Sequence, residues 1–242
     1  MPSVRVLSLP SLLTPDALTG RTAVVFDVLR ATTTMAYAIA AGAEGVRVFG
    51  TLDNARAAAA AFDGPKCLAG ELHTLRPPDF DLGNSPADFT VERCQNKTIL
   101  MATTNGTRAL VASQSAGTLL TGAVVNAAAT ATAVRRIGRP ATFVCSGTQG
   151  ELSLEDLIGC GAVLAHLPDA ELENDTARLA RIAWTAARDK LGDVFRETFS
   201  GHNLKRGGLI SDVDVCGQLD SVAVACRVVP EAGVLVVRRW GD

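Results

Sequence analysis

The sequence predicts an α/β fold around a largely parallel sheet. Short apolar runs rich in β-branched residues alternate with Ala-rich runs that favour helix, as is typical of βα units. The length of 242 residues and the hydrophobic content of 48% suit one large domain with a substantial core. Because no Pro/Gly/Ser-rich linker divides the chain, we predict one domain over 1–242. Two closely packed subdomains, about 1–138 and 139–242, are the alternative.

The first half of the chain begins the alternation of elements. A buried strand is predicted at 21–26, a helix at 31–43 and a second strand at 46–49. The Ala-rich segment 52–62 is a strong helix former. Residues 64–90 are rich in Gly, Pro and Asp, so we expect an irregular segment there.

The second half continues the same alternation. The predicted elements are strands at 98–102, 122–125 and 141–145, and helices at 108–113, 126–137, 153–165 and 172–191. Two final strands, 222–228 and 234–238, are expected to be antiparallel at a sheet edge. The units 21–43 and 141–165 share a strand, a loop and a helix of small residues, which either an old duplication or common βα composition explains.

Charge and composition exclude several classes of function. The net charge of −2 and the pI of about 5.9 argue against a nucleic-acid coat and against a protein that binds membrane surfaces. With 5% aromatic residues, platforms for stacking bases are not expected. A local cationic pocket for a small anion remains compatible with this composition.

The cysteines and the N-terminal segment predict a cytoplasmic protein with reduced thiols. The first ten residues have no cationic start, apolar run or cleavage site, and no stretch is apolar enough to span a membrane. No two cysteines form a C-x-x-C pair, and none of the three His lies near a Cys at ligand spacing, so zinc is not expected. The six cysteines are Cys67, Cys94, Cys145, Cys160, Cys216 and Cys226.

The segment after the first buried strand is the strongest candidate site. In open α/β sheets, ligands bind beyond the carboxyl ends of strands. Asp27 ends the strand and can hold Mg²⁺ or act as a nucleophile toward phosphorus. Arg30 offers two donors to an oxyanion, and Thr32, Thr33 and Thr34 open a helix that favours phosphate or sulfonate. The alternative is a purely structural role, in which Asp27 forms a turn and a threonine caps the helix.

Three further loops carry groups of the same kind. Carboxylates and amides such as Glu71, Asp81 and Asn84 suit Mg²⁺, although from these residues alone turn chemistry is the better explanation of Asp81 and also of Glu71. Small residues after strands allow close backbone approach to an anion; they are Thr103, Thr104, Asn105, Gly106 and Thr107 after one strand, and Gly147 after another. Glu155 and Asp156 open a helix, where they either favour its dipole or complete a metal site.

Two other reactive side chains have ordinary explanations. Cys145 lacks the Arg that a tyrosine-phosphatase loop needs, since Glu151 stands six residues later, and we expect a core thiol. His202 is either a general acid or a solvated loop histidine.

Four segments in this order and spacing, VVFDVLRATTT, FDLGNSP, TTNGT and CSGTQGELSLED, resemble the 2-phosphosulfolactate phosphatase family. The resemblance runs from about Ser3 to the C-terminus. It implies a three-layer α/β/α fold with a mixed sheet, of two related halves. It also implies Mg²⁺-dependent hydrolysis of (R)-2-phospho-3-sulfolactate, a step of coenzyme M biosynthesis.

The resemblance also places the functional residues. By motif, Asp27, Arg30 and Glu71 are the expected catalytic residues, and Asp27, Glu71, Asp81, Glu155 and Asp156 are the expected Mg²⁺ ligands. Arg30 and the Thr clusters are expected to hold the anionic groups of the substrate, with Asn84 and the glycines Gly83, Gly106 and Gly147 in the matching loops. In the family, the Gly-Glu pair is commonly followed by Arg. Here Leu72 follows, so that cationic contact is either absent or supplied by Arg76.

Several interpretations remain open at this level. The nucleophile is either metal-activated water or Asp27 itself. A haloacid-dehalogenase-type phosphatase needs a second Asp two residues after the first, and Leu29 excludes it. A phosphatase for another phospho-2-hydroxy acid and a non-catalytic binder of organic anions are the two alternatives. No nucleic-acid or membrane partner is expected, and a homodimer is common for α/β enzymes of this size.

Overall fold

A computed structural model describes residues 2–14, 16–103 and 105–241. In these ranges the chain forms ten strands and ten helices. The strands are β1 Ser3–Leu7, β2 Thr22–Phe26, β3 Gly45–Phe49, β4 Lys66–Gly70, β5 Thr98–Ala102, β6 Thr118–Gly122, β7 Ala141–Cys145, β8 Glu171–Leu172, β9 Cys226–Glu231 and β10 Val234–Arg239. The helices are α1 Ala31–Ala40, α2 Leu52–Ala61, α3 Val91–Cys94, α4 Asn105–Ala112, α5 Ala127–Ile137, α6 Leu154–Ala165, α7 Asp175–Ala187, α8 Leu191–Arg196, α9 Phe199–Arg206 and α10 Ser211–Cys216.

All ten strands belong to one mixed sheet, in the order β4-β5-β3-β10-β9-β6-β2-β7-β1-β8. The strands β4-β5-β3 form one parallel block, and β6-β2-β7-β1-β8 form a second. The antiparallel hairpin β9–β10 joins the two blocks. The predicted mixed, largely parallel α/β sheet is therefore confirmed.

Helices cover both faces of the sheet, as side-chain alternation along the strands requires. Val24 and Phe26 of β2 face the core beneath α5, α6 and α7. Ala23 and Val25 face the opposite side, where α1 and α4 pack. In the other block, α2 covers Leu100. The three-layer α/β/α arrangement is confirmed.

The final hairpin lies in the middle of the sheet, so its predicted place at an edge is wrong. β10 pairs with β3 on one side, and β9 pairs with β6 on the other. Val228, Val236 and Val237 are buried there. The sequence pattern predicts the two strands of this hairpin, but it does not show that β3 and β6 pair with its two outer edges.

Other predicted elements shift or are incomplete. Three strands were not predicted, namely β1, β4 and β8. β4 lies in a segment rich in turn residues, β1 is a short run near residue 5, and β8 has only two residues. The strand expected at 122–125 ends at Gly122, and a 3₁₀ turn follows it. The helix expected at 172–191 begins at Asp175, where the Asn174 side chain caps it, and a second helix begins at Leu191.

Strands from both sides of residue 138 pair with one another. β7 lies between β1 and β2 and is parallel to both.

The described residues contain no helix long and apolar enough to cross a membrane. All six cysteines are buried and free.

The twist of the sheet brings the loop after β5, in one parallel block, close to the loop after β2, in the other. Three antiparallel pairings separate the blocks, so in a flat sheet β5 and β2 would end at opposite edges. The five steps from β5 to β2 each turn the strand direction by about 20–25°, or about 100–125° in total. The strands therefore cross, and α4, which follows β5, packs against β2.

The packing of α6 on α7 depends on a glycine, and this gives a first prediction. A Cβ on Gly161 would lie 2.2 Å from the Ala180 carbonyl oxygen and 2.6 Å from Trp184 Cβ. We expect Gly161→Ala to lower the free energy of unfolding by about 2–4 kcal/mol, measured by urea denaturation. Gly50→Ala is the control, since its Cβ would meet only Thr107 Cγ2 at 3.8 Å. Equal stability of the two variants would contradict this packing.

Candidate active site

Asp27 lies where β2 ends, between the first turns of two helices. Its Oδ1 accepts a hydrogen bond from the Ala31 N–H at 3.2 Å, at the start of α1. The Gly106 N–H, in the first turn of α4, also donates to this carboxylate. A Cβ on Gly106 would lie 3.0 Å from Asp27 Oδ2, so only glycine allows this approach without displacing the carboxylate. Two helix N-termini therefore stabilise negative charge at one point.

The predicted threonine cluster shapes the loop that carries Asp27. The Thr32 hydroxyl donates to the Asp27 carbonyl at 2.9 Å, and the Asp27 N–H donates back to that hydroxyl at 3.0 Å. The Thr33 hydroxyl donates to the Val28 carbonyl, and the Thr34 hydroxyl donates to the Asn84 carbonyl. All three hydroxyls were predicted as substrate donors. In the structure, those of Thr32 and Thr33 hold the 27–30 loop against α1, and that of Thr34 ties α1 to the loop that contains Asn84.

Two acidic residues of α6 meet the same loop. Asp156 Oδ1 accepts the Val28 N–H at 2.8 Å, and its Oδ2 accepts the Gly147 N–H at 3.1 Å. Asp156 therefore ties the loop after β2 to the loop after β7. Glu155 is also buried, with 2% exposure. Within the described ranges, no Lys or Arg forms an ion pair with Asp27, Glu155 or Asp156.

Burial and neighbouring negative charges raise the pKa of Asp27 and of Asp156. Burial, followed by the charges of Glu71 and Glu155, raises the pKa of Asp27 to about 6, although the N–H groups of Ala31 and Gly106 oppose the shift. Burial and the charges of Asp27 and Glu155 raise the pKa of Asp156 well above its usual range. The region therefore carries excess negative charge, and a bound cation would relieve it.

Arg30 is the cation closest in sequence to Asp27, but other carboxylates hold it. Its Nη2 donates to Glu71 Oε2 at 2.6 Å and to the Thr74 carbonyl at 2.8 Å. Its Nη1 donates to Asp212 Oδ2 at 2.6 Å. Burial disfavours the guanidinium charge, but Glu71 and Asp212 outweigh this and raise the pKa of Arg30. Arg30 therefore links three parts of the chain near the site.

The predicted residues of the loop after β5 lie at the start of α4. Thr103 and Thr107 share a hydrogen bond of 3.0 Å at the start of α4, beside Gly106, with Asn105 as the first residue of that helix. Thr104 lies outside the described residues.

Asp81 lies apart from the buried carboxylates Asp27, Glu155 and Asp156. It is exposed, and its carboxylate accepts the Leu68 N–H of β4 at 2.8 Å. Arg76 donates to the Phe80 carbonyl, and the Cβ position of Gly83 would contact Arg76.

Cys145 and His202 lie outside the carboxylate cluster. Cys145 is fully buried, and its Sγ is 3.7 Å from Cys160 Sγ. The hydrogen bond with Cys160 lowers the pKa of the Cys145 thiol, but burial and the charges of Asp156 and Glu155 together raise it. A buried thiol with a raised pKa is a poor nucleophile. His202 is exposed on α9, with Nε2 3.9 Å from Glu197 Oε2.

Two clefts open beside the carboxylates. The first, of about 190 Å³, is lined by residues that include Ser153, Glu155 and Phe199. The second, of about 320 Å³, is lined by residues that include Glu71 and Thr103. Each cleft therefore gives solvent and small molecules a route to one side of the site.

The donor set fits Mg²⁺ better than a metal enclosed by protein ligands. No group of three or more His, Cys, Asp or Glu side chains that could hold a metal ion is found among the described residues. Mg²⁺ commonly takes only one or two protein carboxylates and completes its shell with water and phosphate oxygens. Asp27 and Glu155, both buried carboxylates with no basic partner in the described part of the chain, match that requirement.

Sequence reasoning missed Asp212 and the Ser85 and Ser146 hydroxyls. Ser85 donates to Asp212 Oδ2 at 2.8 Å, and Ser146 donates to the Phe26 carbonyl at 2.7 Å. The two serines stand inside quoted motifs, so their motifs were a usable signal. Asp212 lies in a short helix without any motif, and no local pattern points to it.

Comparisons with known proteins agree with the motifs. A family model described as 2-phosphosulpholactate phosphatase matches residues 7–231. The chain belongs to the 2-phosphosulfolactate phosphatase family. The family consists of phosphoric monoester hydrolases, so the prediction of this enzyme class is confirmed.

Three relatives show how fully the match covers the chain, and each is named "probable 2-phosphosulfolactate phosphatase". One from Cyanothece sp. is 36% identical and covers 92% of this chain and 94% of its own length. One from a Synechococcus species is 41% identical over 84% of this chain and 86% of its own. One from Symbiobacterium thermophilum is 35% identical over 86% and 91%, respectively.

Proposed function

We propose that this chain hydrolyses (R)-2-phospho-3-sulfolactate to 3-sulfolactate and phosphate, with Mg²⁺ as its cofactor. The observation that carries the proposal is the position of Asp27, a buried carboxylate at two helix N-termini. Beside it lie Glu155 and Asp156, which form no ion pair with any described residue. The family named by the comparisons supports the substrate. A site that binds anions directly would instead present basic side chains, because carboxylates repel a phosphate ester unless a cation lies between them.

Asp27 and Glu155 would hold the Mg²⁺ ion, and Glu71 borders the same cleft as Thr103. Bound there, the ion would neutralise charge on the phosphoryl oxygens and favour ionisation of a bound water. Asp81 is left out of this proposed ligand set, since its carboxylate binds the backbone of β4.

The chain itself supplies orientation and backbone donors. The first turns of α1 and α4 direct N–H groups at Asp27, and such groups also favour a phosphoryl group bound nearby. Asp156 fixes the Val28 and Gly147 N–H groups, and thereby sets the distance between the loops after β2 and β7. These hydrogen bonds within the protein hold the loops and the Asp27 carboxylate in place before the substrate binds, so little reorganisation is needed.

Two nucleophiles fit the geometry, Asp27 itself and a water molecule that the carboxylates orient. The stereochemistry at phosphorus separates them, followed with a substrate analogue that carries an isotopically chiral thiophosphoryl group and is hydrolysed in isotope-labelled water. Attack by an Asp27 oxygen breaks the ester P–O bond and releases 3-sulfolactate, and water then attacks the phosphorus of the aspartyl phosphate and regenerates the Asp27 carboxylate. These two in-line displacements retain the configuration at phosphorus. Attack by water is a single displacement and inverts it.

The substrate is tested by phosphate release from a panel at fixed Mg²⁺. The panel holds 2-phosphosulfolactate, 2-phospholactate and a generic aryl phosphate. We expect kcat/KM for the sulfonate ester to exceed the other two values by at least about tenfold. Faster release from phospholactate would retain the phosphatase chemistry and overturn the substrate, and no release from any ester would favour an anion-binding protein.

The pKa of Asp27 leads to a pH prediction. A carboxylate must be ionised to hold a cation, so kcat/KM at low Mg²⁺ should fall about tenfold per pH unit below a pH of about 6. Saturating Mg²⁺ should move this acidic limb of the pH profile to lower pH, because the positive charge of the ion favours the ionised form of Asp27. A limb that stays at the same pH at all Mg²⁺ concentrations would contradict the placement of Asp27 beside the ion.

We also propose the cellular setting that the sequence predicts. The six buried free thiols support a cytoplasmic location, and the substrate would place the reaction in coenzyme M biosynthesis. The homodimer stays a prediction from chain size alone.

A further inference from the structure

Arg30, Glu71 and Asp212 form a buried ion triad beside the proposed active site. Arg30 and Asp212 are 2% and 4% exposed, whereas the Glu71 side chain keeps 25% exposure at the cleft. The guanidinium is divided between the two carboxylates, with Nη2 on Glu71 Oε2 and Nη1 on Asp212 Oδ2, each at 2.6 Å. This division leaves Glu71 Oε1 without a hydrogen bond from the described residues.

Asp212 is well supported in this position. The Ser85 hydroxyl donates to the same Oδ2 at 2.8 Å. One turn later on α10, the Cys216 thiol and the Thr33 side chain share a hydrogen bond. Positions four residues apart lie on one face of a helix, so α10 contacts the start of α1 at two points.

Arg30 would adopt a different arrangement without Asp212. A guanidinium beside a single carboxylate favours a bidentate pair with two parallel N–H···O bonds. With Nη1 released, Arg30 would turn both donors onto Glu71 and occupy Oε1 as well as Oε2. Glu71 would then be neutralised and would have no free oxygen at the cleft.

We propose that Asp212 is a positioning residue, which holds one arm of Arg30 and thereby keeps Glu71 Oε1 free for a cation or substrate group in the cleft. The proposal rests on the proposed function for its kinetic consequence, and on geometry alone for the Arg30 arrangement. It assigns to α10, a helix outside all the motifs, a part in the organisation of the site.

The kinetic test uses Asp212→Asn, with Asp214→Asn as the matched control. Asp214 is on the same helix, exposed, and pairs with Arg196 at the surface. We expect Asp212→Asn to lower kcat by about 10- to 100-fold with KM changed less than about threefold, and Asp214→Asn to leave both unchanged. Ser85→Ala, which removes a donor to Asp212 but keeps every charge, should lower kcat by a smaller factor.

A double-mutant cycle separates positioning from general damage to the fold. If Asp212 acts through Glu71, Asp212→Asn should have almost no further effect on the residual kcat of Glu71→Gln. Multiplicative effects of the two substitutions would overturn the proposal. Thermal melting of each variant identifies loss of folding, and if Asp212→Asn unfolds, Ser85→Ala takes its place in the cycle.

A crystal structure of Asp212→Ala tests the geometry independently of activity, because alanine removes the acceptor of Arg30 Nη1, which an Asn side-chain oxygen would still provide. We expect both Glu71 oxygens to accept from Arg30 in the variant, against one in the wild type. An unchanged single contact would overturn the proposal even if kcat falls. If the wild type releases phosphate from no ester, the proposed function fails, and the crystal structure still decides the role of Asp212.

Discussion

Asp27→Asn is expected to lower kcat/KM for phosphate release by at least about 10³-fold. Asn has almost the same shape and can still accept the Ala31 N–H, but it carries no charge to hold a cation or to attack phosphorus. The loss should appear in steady-state phosphate release at saturating Mg²⁺. Asp175→Asn, at the exposed first position of α7, is the control and should keep full activity. Normal turnover by Asp27→Asn would remove Asp27 from the site.

The same substitution should stabilise the metal-free protein at neutral pH. The pKa of Asp27 rises from 3.8 to about 6 on folding, so the folded state binds more protons than the unfolded state between these values. Stability therefore falls as pH rises from about 4 to about 6, by up to about 3 kcal/mol.

Asp27→Asn removes this cost, so we expect a higher melting temperature than the wild type at pH 7 and a similar one at pH 3.5. A variant that is less stable than the wild type at pH 7 would contradict the cause assigned to the pKa shift.

Glu155→Gln is expected to raise the Mg²⁺ concentration for half-maximal activity by at least about 30-fold, and to lower kcat by about 10²-fold. Glu155 is buried at the start of α6, so its charge faces the site and is poorly screened by solvent. The measurement is a Mg²⁺ titration of phosphate release. Glu92→Gln, an exposed glutamate in the first turn of α3, should behave like the wild type. An unchanged Mg²⁺ requirement would exclude Glu155 as a ligand.

According to these predictions, the site lowers the stability of the folded protein until it binds a cation. Asp27 and Asp156 lie in low-dielectric surroundings, and burial together with the negative charges around them raises the pKa of both carboxyl groups. Ligand binding to the native state alone stabilises it by mass action. Wild-type melting temperature should accordingly rise with Mg²⁺, and Asp27→Asn should lose most of that response.

The sequence predicted the parts of the site that are local in the chain. Asp27 follows an uninterrupted apolar strand, and Glu155 and Asp156 follow a Gly-rich loop and open a helix. Such strand–loop–helix patterns specify both an element and the end of the sheet at which it presents its side chains. The structure brings these three carboxylates together, and their assignment as catalytic residues or metal ligands stays a prediction.

The parts that sequence reasoning could not reach depend on long-range pairing. Arg30 and Asp212 are 182 positions apart, and a lone Arg at a helix start predicts an anion-binding group equally well. The hydroxyls of Thr32, Thr33 and Thr34 can donate either to a ligand or to the backbone, and only the coordinates show that they donate to carbonyls. The central place of the β9–β10 hairpin has the same origin, because a strand pattern does not name its neighbours.

The central claim is a Mg²⁺-dependent phosphatase site built around Asp27. Its most direct test is phosphate release from 2-phosphosulfolactate as a function of Mg²⁺ concentration, for the wild type and for Asp27→Asn after treatment with a chelator. We predict wild-type release that saturates with Mg²⁺ and returns to background without it, and no Mg²⁺-dependent release by the variant. Release by the chelated wild type at its full rate, or Mg²⁺-dependent release by Asp27→Asn at the wild-type rate, would contradict the account.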